Sequence, residues 1–276
     1  MLKKQDVYGN IIDMMSLFYV LIGAVGAIFG SFLACQAWRL RFRDLKKQSL
    51  GKRSVCLSCH KQLKWYDNLP IISWVLLRGK CRYCGKKIGV MEILAEVLMA
   101  IAFVGISIVM VPSFELDWSA YLLYGLTLVL VLLLGFLAIY DGKWGELPNF
   151  MLIIAGGVAA VMAILRFVLP ELGGDVVGLL GAVGILGGIY LMLYFISKGQ
   201  WVGDGDWILG AVIAIALGDA WLALITLFLA NFLGLVIMYP AVRKNNKRKI
   251  YFGPFLVAGY VIALIFADFC LGLINL

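Results

Sequence analysis

The sequence predicts an all-α polytopic membrane protein of about eight transmembrane helices with one small cytoplasmic four-cysteine insert. Three observations carry that class. Of 276 residues, 63% are hydrophobic and 14% charged, with a mean hydropathy of +0.97, whereas soluble domains are roughly half apolar. Apolar runs of about 20 residues, enough to cross a hydrocarbon core, recur along the chain. Most Lys and Arg residues are gathered between Arg39 and Lys87 or between Arg243 and Lys249, as they are in loops on the cytoplasmic side. That distribution assigns the net charge of +8 to topology and lipid contact, and no nucleic-acid partner is expected.

The first run, Met14 to Ala37, exceeds a signal-peptide core and lacks a small-residue cleavage site before its basic flank, so it is expected to remain as an anchor. The polar segment 38–90 follows and is the candidate soluble domain. The remaining runs are 91–111, 119–140, 150–169, 176–196, 207–218, 220–241 and 254–274, the sixth span being short and rich in Gly and Ala. Small residues at 155–160 and 178–188 suit close helix packing. With the N-terminus outside, both basic segments fall inside together with 141–149 and 197–206. The acidic loops near Glu115 and Asp117, Glu171 and Asp175, and Asp219 then fall outside. The chain divides into a first span at 1–37, the insert at 38–90 and a membrane domain at 91–276.

Within the insert, Cys56-Leu57-Ser58-Cys59 and Cys81-Arg82-Tyr83-Cys84 form two Cys-x-x-Cys knuckles. Paired knuckles at this separation can set four thiolates tetrahedrally around one zinc ion. Reducing conditions on the cytoplasmic side disfavour the disulfide alternative. His60 follows Cys59 but is not needed as a ligand once four thiolates complete the shell. A closed shell of that kind is structural, and it folds a segment with little core of its own. Cys35 and Cys270 lie in apolar runs and read as packing residues.

Two carboxylates stand where apolar runs meet Gly-containing turns: Asp141, ahead of Gly142 and Pro148-Asn149, and Asp206, in Gly203-Asp204-Gly205-Asp206. An ionised group at membrane depth costs roughly 2.5–3.5 kcal/mol on insertion scales, so such residues are kept for function or kept near water. Pro148 interrupts helix continuation, Gly203 and Gly205 allow close backbone approach, and the sixth span begins at Asp206 or Trp207. Two aspartates in contact share one proton, so that one can act as base on water while the other polarises a carbonyl. Helix capping accounts for the same residues equally well on spacing alone. Asp204 and Glu146 are the nearest rivals.

Motifs elsewhere in the chain weigh on this choice. Gly30-Ser31-Phe32-Leu33 with Arg39-Leu40 opens the match. The insert follows with Arg53-Ser54-x-Cys56-x-x-Cys59, Leu63-x-Trp65-Tyr66-Asp67-Asn68-Leu69-Pro70, Ser73-Trp74 and Leu77-Arg78-Gly79-Lys80-Cys81-Arg82-x-Cys84. Asp141 with Pro148-Asn149, Gly203-x-Gly205-Asp206, and Phe252-Gly253-Pro254-Phe255 complete it. In these blocks the chain resembles the bacterial type IV prepilin peptidases, membrane aspartic proteases with a Gly-x-Gly-Asp motif, over nearly its whole length. The resemblance implies a catalytic dyad of Asp141 and Asp206, zinc on the four cysteines, and location in the bacterial cytoplasmic membrane. It also implies a prepilin or pseudopilin substrate cut at the cytoplasmic face, after a glycine.

Many members of that family also methylate the new N-terminus with S-adenosylmethionine. Glu96 matches the family pattern. Ala34 stands where Asn is common, Leu57 replaces Pro, Glu92-Ile93 a frequent Tyr-Pro, Trp207-Ile208 a Val-Lys, and Tyr251 a Pro. These departures spare the protease blocks and weigh on methylation. The competing function class is a non-catalytic scaffold or ion or proton transporter, whose zinc knuckle recruits a partner and whose aspartates bind an ion.

Overall fold

The computed structural model describes residues 2–44, 54–112, 117–200, 202–244 and 251–267. Arg53, Glu115, the basic residues Lys247, Arg248 and Lys249, Cys270 and the end of the eighth predicted span lie outside the described residues. Two compact units form, residues 1–114 and 115–276. The described residues are helical apart from turns and two isolated bridges, and six helices are long and apolar enough to cross a membrane. The protein is therefore an integral membrane protein.

In the first unit, α1 (Leu2–Asp44) packs along α3 (Val90–Met110). α1 continues beyond the expected end at Ala37 because 31–50 contains no Gly or Pro and its Arg and Leu residues are good helix formers. Gly26 and Gly30, one turn apart, let the two backbones meet. A Cβ at Gly30 would lie 2.6 Å from the Ala95 carbonyl oxygen, the small-residue contact that membrane helices use in place of hydrophobic drive. Between these helices the insert folds as two knuckles, a 3-10 turn at Trp65–Asn68 and the short α2 (Ile72–Leu76).

The second unit contains α4 (Trp118–Trp144), α5 (Asn149–Val168) and α6 (Val176–Ala182). A π-turn at Val183–Gly188 leads into α7 (Ile189–Ser197), followed by α8 (Asp204–Leu217), α9 (Ala220–Lys244) and α10 (Gly253–Ile265). Val176 to Ser197 is thus one span with a π-turn inside it. That turn packs on α8, which also touches α5 and α10, while α4 touches α5 and α10. Leu130, Leu134, Leu152, Leu186, Leu209, Ile213 and Tyr260 are fully buried among these elements.

α8 has 14 residues, too short to cross a bilayer alone at 1.5 Å per residue. Hydrogen bonds support both of its ends. Its N-terminus is capped at Gly203, and at its C-terminus the Arg166 guanidinium of α5 donates to the carbonyls of Ala216 (2.6 Å) and Leu217 (3.0 Å).

Candidate active site

Asp141 sits in the last turn of α4 and is 5% exposed. A helix C-terminus is the negative end of the dipole, so neither local propensity nor solvation explains a carboxylate there. It is not an N-cap. Its partner is the backbone N–H of Gly253, the first residue of α10, which donates to Oδ2 over 2.9 Å. That N–H is one of the unsatisfied donors of a helix start, suited to a negative group. A Cβ at Gly253 would stand 2.8 Å from the same oxygen, so glycine is what lets this helix end approach.

Asp206 is the third residue of α8, and its Oδ2 accepts the Gly203 N–H over 3.1 Å in a capping box. The helix consequently begins at Asp204, ahead of the expected Asp206 or Trp207, because this cap fixes the boundary at Gly203. Asp206 therefore caps as well as lining the site. Gly205 is buried with its Cα against Leu147, and a Cβ there would lie 2.8 Å from that side chain. This contact holds the start of α8 against the loop that leaves α4. Pro148 ends that loop as N-cap of α5 and Asn149 is the first residue of the helix, while Gly145 closes α4 with a φ of +68°.

The Asp206 charge acts on the buried carboxyl of Asp141. The rivals differ in setting. Asp204 acts on Asp206 electrostatically but is exposed and bonded to the Gly205 N–H, and Glu146 is exposed.

Two residues escaped sequence reasoning, Tyr190 and its partner Asn231. Tyr190, 3% exposed, feels the Asp206 charge, accepts a hydrogen bond from Asn231 Nδ2 at 3.2 Å, and packs its ring 5.5 Å from that of Phe252. Tyr190 and Asn231 are hidden in apolar runs. Gly253, which the sequence places in the Phe252-Gly253-Pro254-Phe255 block, acts through its backbone on Asp141.

In the insert, the Sγ atoms of Cys56, Cys59, Cys81 and Cys84 lie within 4.8 Å of one another, with Cys56 and Cys84 3.9 Å apart. Ligands at 2.3 Å around a tetrahedral zinc would be separated by about 3.8 Å, so the donor set fits that ion. The knuckles are built alike. Cys56 N–H bonds to Lys61 O and His60 N–H to Cys56 O, as Cys81 N–H bonds to Lys86 O and Gly85 N–H to Cys81 O. His60 occupies the position of Gly85, with a φ of 56° against 69°, and is exposed, so it is a turn residue and not a ligand.

Burial raises the Cys56 thiol, but the backbone N–H groups of Cys59 and Ser58 outweigh that and bring it down to about 7. The Lys86 amide favours the Cys84 thiolate, yet desolvation and the thiols of Cys81, Cys59 and Cys56 push it up to about 11. Thiols so close cannot all ionise alone, and a dication would remove that conflict. Arg82 Nε reaches Asp67 Oδ1 at 2.7 Å, and the Asp67 side chain is only 2% exposed. Desolvation there is overcome by the Arg82 bond, which holds the carboxyl below its ordinary range.

A cavity of about 880 Å³ opens within the first unit. Its walls include Phe32 and Trp38 of α1, Trp74 of α2, and Glu92 and Glu96 of α3. Trp38 Nε1 donates to Glu92 Oε1 at 3.3 Å, and the Ile71 N–H donates to Glu96 Oε2 at 2.7 Å. The volume lies within the usual 300–1,000 Å³ range of small-molecule sites.

Residues 24–110 match the Bacterial Peptidase A24 N-terminal domain. The chain is 29% identical to the prepilin leader peptidase/N-methyltransferase of Pectobacterium carotovorum over 270 residues, covering 90% of this chain and 93% of that one. It is 29% identical to the protein of the same name from Bacillus subtilis over 258 residues, covering 92% and 95%. With that of Vibrio cholerae it shares 27% over 202 residues, covering 66% and 76%. No solved structure matches. The resemblance read from the motifs thus holds over most of the chain.

Proposed function

We propose that this relative of the prepilin leader peptidases is a membrane aspartic endopeptidase that removes the leader of a prepilin or pseudopilin. What supports this reading is that the Asp206 charge acts on the buried Asp141 carboxyl although the two residues lie on helices far apart in sequence. With one proton shared between them, the ionised carboxylate takes a proton from water as the oxygen attacks the scissile carbonyl. The protonated partner gives its proton to the carbonyl oxygen. On collapse of the tetrahedral intermediate the new amine takes the proton drawn from water, and the former carbonyl oxygen returns its proton to the second aspartate.

Gly253 N–H acts as a positioning group, fixing the Asp141 carboxylate for that exchange. The domains in this reading are the first span (1–37), a cytoplasmic zinc insert (38–90) and a protease domain (91–276) in the bacterial cytoplasmic membrane, with both aspartates at the inner face. The zinc on Cys56, Cys59, Cys81 and Cys84 is structural. Gly203, Gly205, Pro148 and Asn149 shape the two turns.

A second activity, N-methylation of the new terminus, is favoured by the cavity of the first unit. S-Adenosylmethionine, when bound, supplies the methyl group. Glu92 and Glu96 offer negative charge to its sulfonium, and Trp38 and Trp74 offer flat apolar walls to its adenine.

Cleavage of a co-reconstituted prepilin tests the dyad. Asp141→Asn and Asp206→Asn are each expected to lower processing roughly 10²–10⁴-fold, while Asp204→Asn and Glu146→Gln stay near wild type. Wild-type processing by either dyad variant would return the aspartates to the ion-binding scaffold reading.

A further inference from the structure

The insert carries an outward apolar face that the cavity and the metal cluster leave unused. In α2, Ser73 and Trp74 turn to the cavity wall, whereas Ile72, Val75 and Leu76, spaced as neighbours on one side of a helix, are 56%, 58% and 74% exposed. Trp65, in the preceding 3-10 turn, is 76% exposed. Apolar surface of this kind facing water would be a liability, so its depth relative to the spans decides its meaning.

Two contacts fix that depth. The Ile71 N–H just ahead of α2 bonds to Glu96, which lies about 9 Å along α3 from its start at Val90. The cavity that Ser73, Trp74 and Leu77 help line is also walled by Ile28 and Phe32 of α1, inside the apolar stretch Asp13–Phe42. α2 therefore lies beside the ends of two membrane spans and not beyond them. Around it, Lys61, Lys64, Arg78, Lys80, Lys86 and Lys87 are all exposed, and Asp67 is the sole acidic residue in 54–89.

We propose that Trp65, Ile72, Val75 and Leu76 form an interfacial anchor that enters the headgroup and acyl boundary of the adjoining leaflet, with the surrounding lysines and arginine on anionic headgroups. The occupant is lipid. A soluble partner would have to reach a face already level with the bilayer, and its surface would have to match a positive rim that anionic phospholipid supplies throughout. The anchor holds the insert's cavity at the membrane surface. The inference rests on the membrane spans alone and not on the protease reading.

Trp65 supplies the probe. The full-length protein is reconstituted in nanodiscs containing anionic phosphatidylglycerol, and the Trp65 signal is taken as wild type minus Trp65→Phe. Phospholipid brominated in its acyl chains is expected to quench that signal by about half, as for a ring 5–10 Å into the boundary, while aqueous iodide leaves it unchanged. Leu76→Trp in the Trp65→Phe background provides a second reporter with the same expectation. Retained metal content shows that both variants fold. Quenching of both reporters by iodide and not by brominated lipid would place the face in water and overturn the proposal. Shielding from both quenchers would mean that protein, such as a second copy of the chain, covers the face, and would overturn it equally.

Discussion

At Asp141 a single backbone group matters as much as the side chain. The carboxylate is buried at the unfavourable end of α4, and the Gly253 N–H, 112 residues away, gives it a defined orientation. Adding one methyl group at Gly253 would put a carbon 2.8 Å from Oδ2, so the helix start must retreat and the bond must lengthen. Gly253→Ala is expected to reduce prepilin processing roughly 10-fold to 100-fold with helical content unchanged, since displacement by an ångström costs about that much. Turnover and circular dichroism on the same preparation check it. Sequence reasoning singled out Asp141 and Asp206 because ionisable groups stand out in an apolar chain. It placed Gly253 in a motif block without its contribution, which is an amide that every non-proline residue has, and it missed Tyr190 and Asn231, whose polar ends meet only once the helices around α8 pack.

Elements show a similar division. Apolar runs separated by turns made the spans readable, and the paired Cys-x-x-Cys spacing made the four-cysteine cluster readable, because both are local patterns. The π-turn at Val183–Gly188 was not readable, since its glycines suit any close packing and only the partner α8 selects the wider winding. Nor was the continuation of α1 to Asp44, where helix propensity outlasts the apolar stretch.

The support of α8 at both ends leads to a stability prediction. Arg166→Met leaves the Ala216 and Leu217 carbonyls without their donor and should cost about 1–3 kcal/mol, seen as a lower unfolding midpoint in detergent. The insert has only two isolated bridges and no strand among its described residues, so a metal on its four thiols would be its main cross-link. Chelation is expected to make 54–89 sensitive to added protease within minutes while the helical signal of the spans persists. Unchanged resistance after complete metal removal would show that the Asp67–Arg82 pair and the knuckle hydrogen bonds suffice.

For the whole molecule, the decisive fact is that the carboxylate pair and the aromatic-lined cavity lie in different compact units. If they serve two reactions, chemistry fixes the order in which those reactions depend on each other. A methyl group can be added to the mature N-terminus only after cleavage has freed that amine, so damage to the first reaction must silence the second, while the reverse need not hold. Asp141→Asn is therefore expected to abolish both processing and methylation. Glu92→Gln removes a charge from the cavity but keeps the side chain's shape and its acceptor for Trp38. It is expected to leave processing within about twofold of wild type and to weaken methylation at least 10-fold, a loss of about 1.4 kcal/mol or more. Mass spectrometry of the processed substrate reads both reactions in one spectrum, as the leader's loss and the single added methyl group. Equal loss of both reactions in Glu92→Gln would mean that the cavity supports cleavage itself. Full methylation in that variant would mean that the methyl donor binds elsewhere.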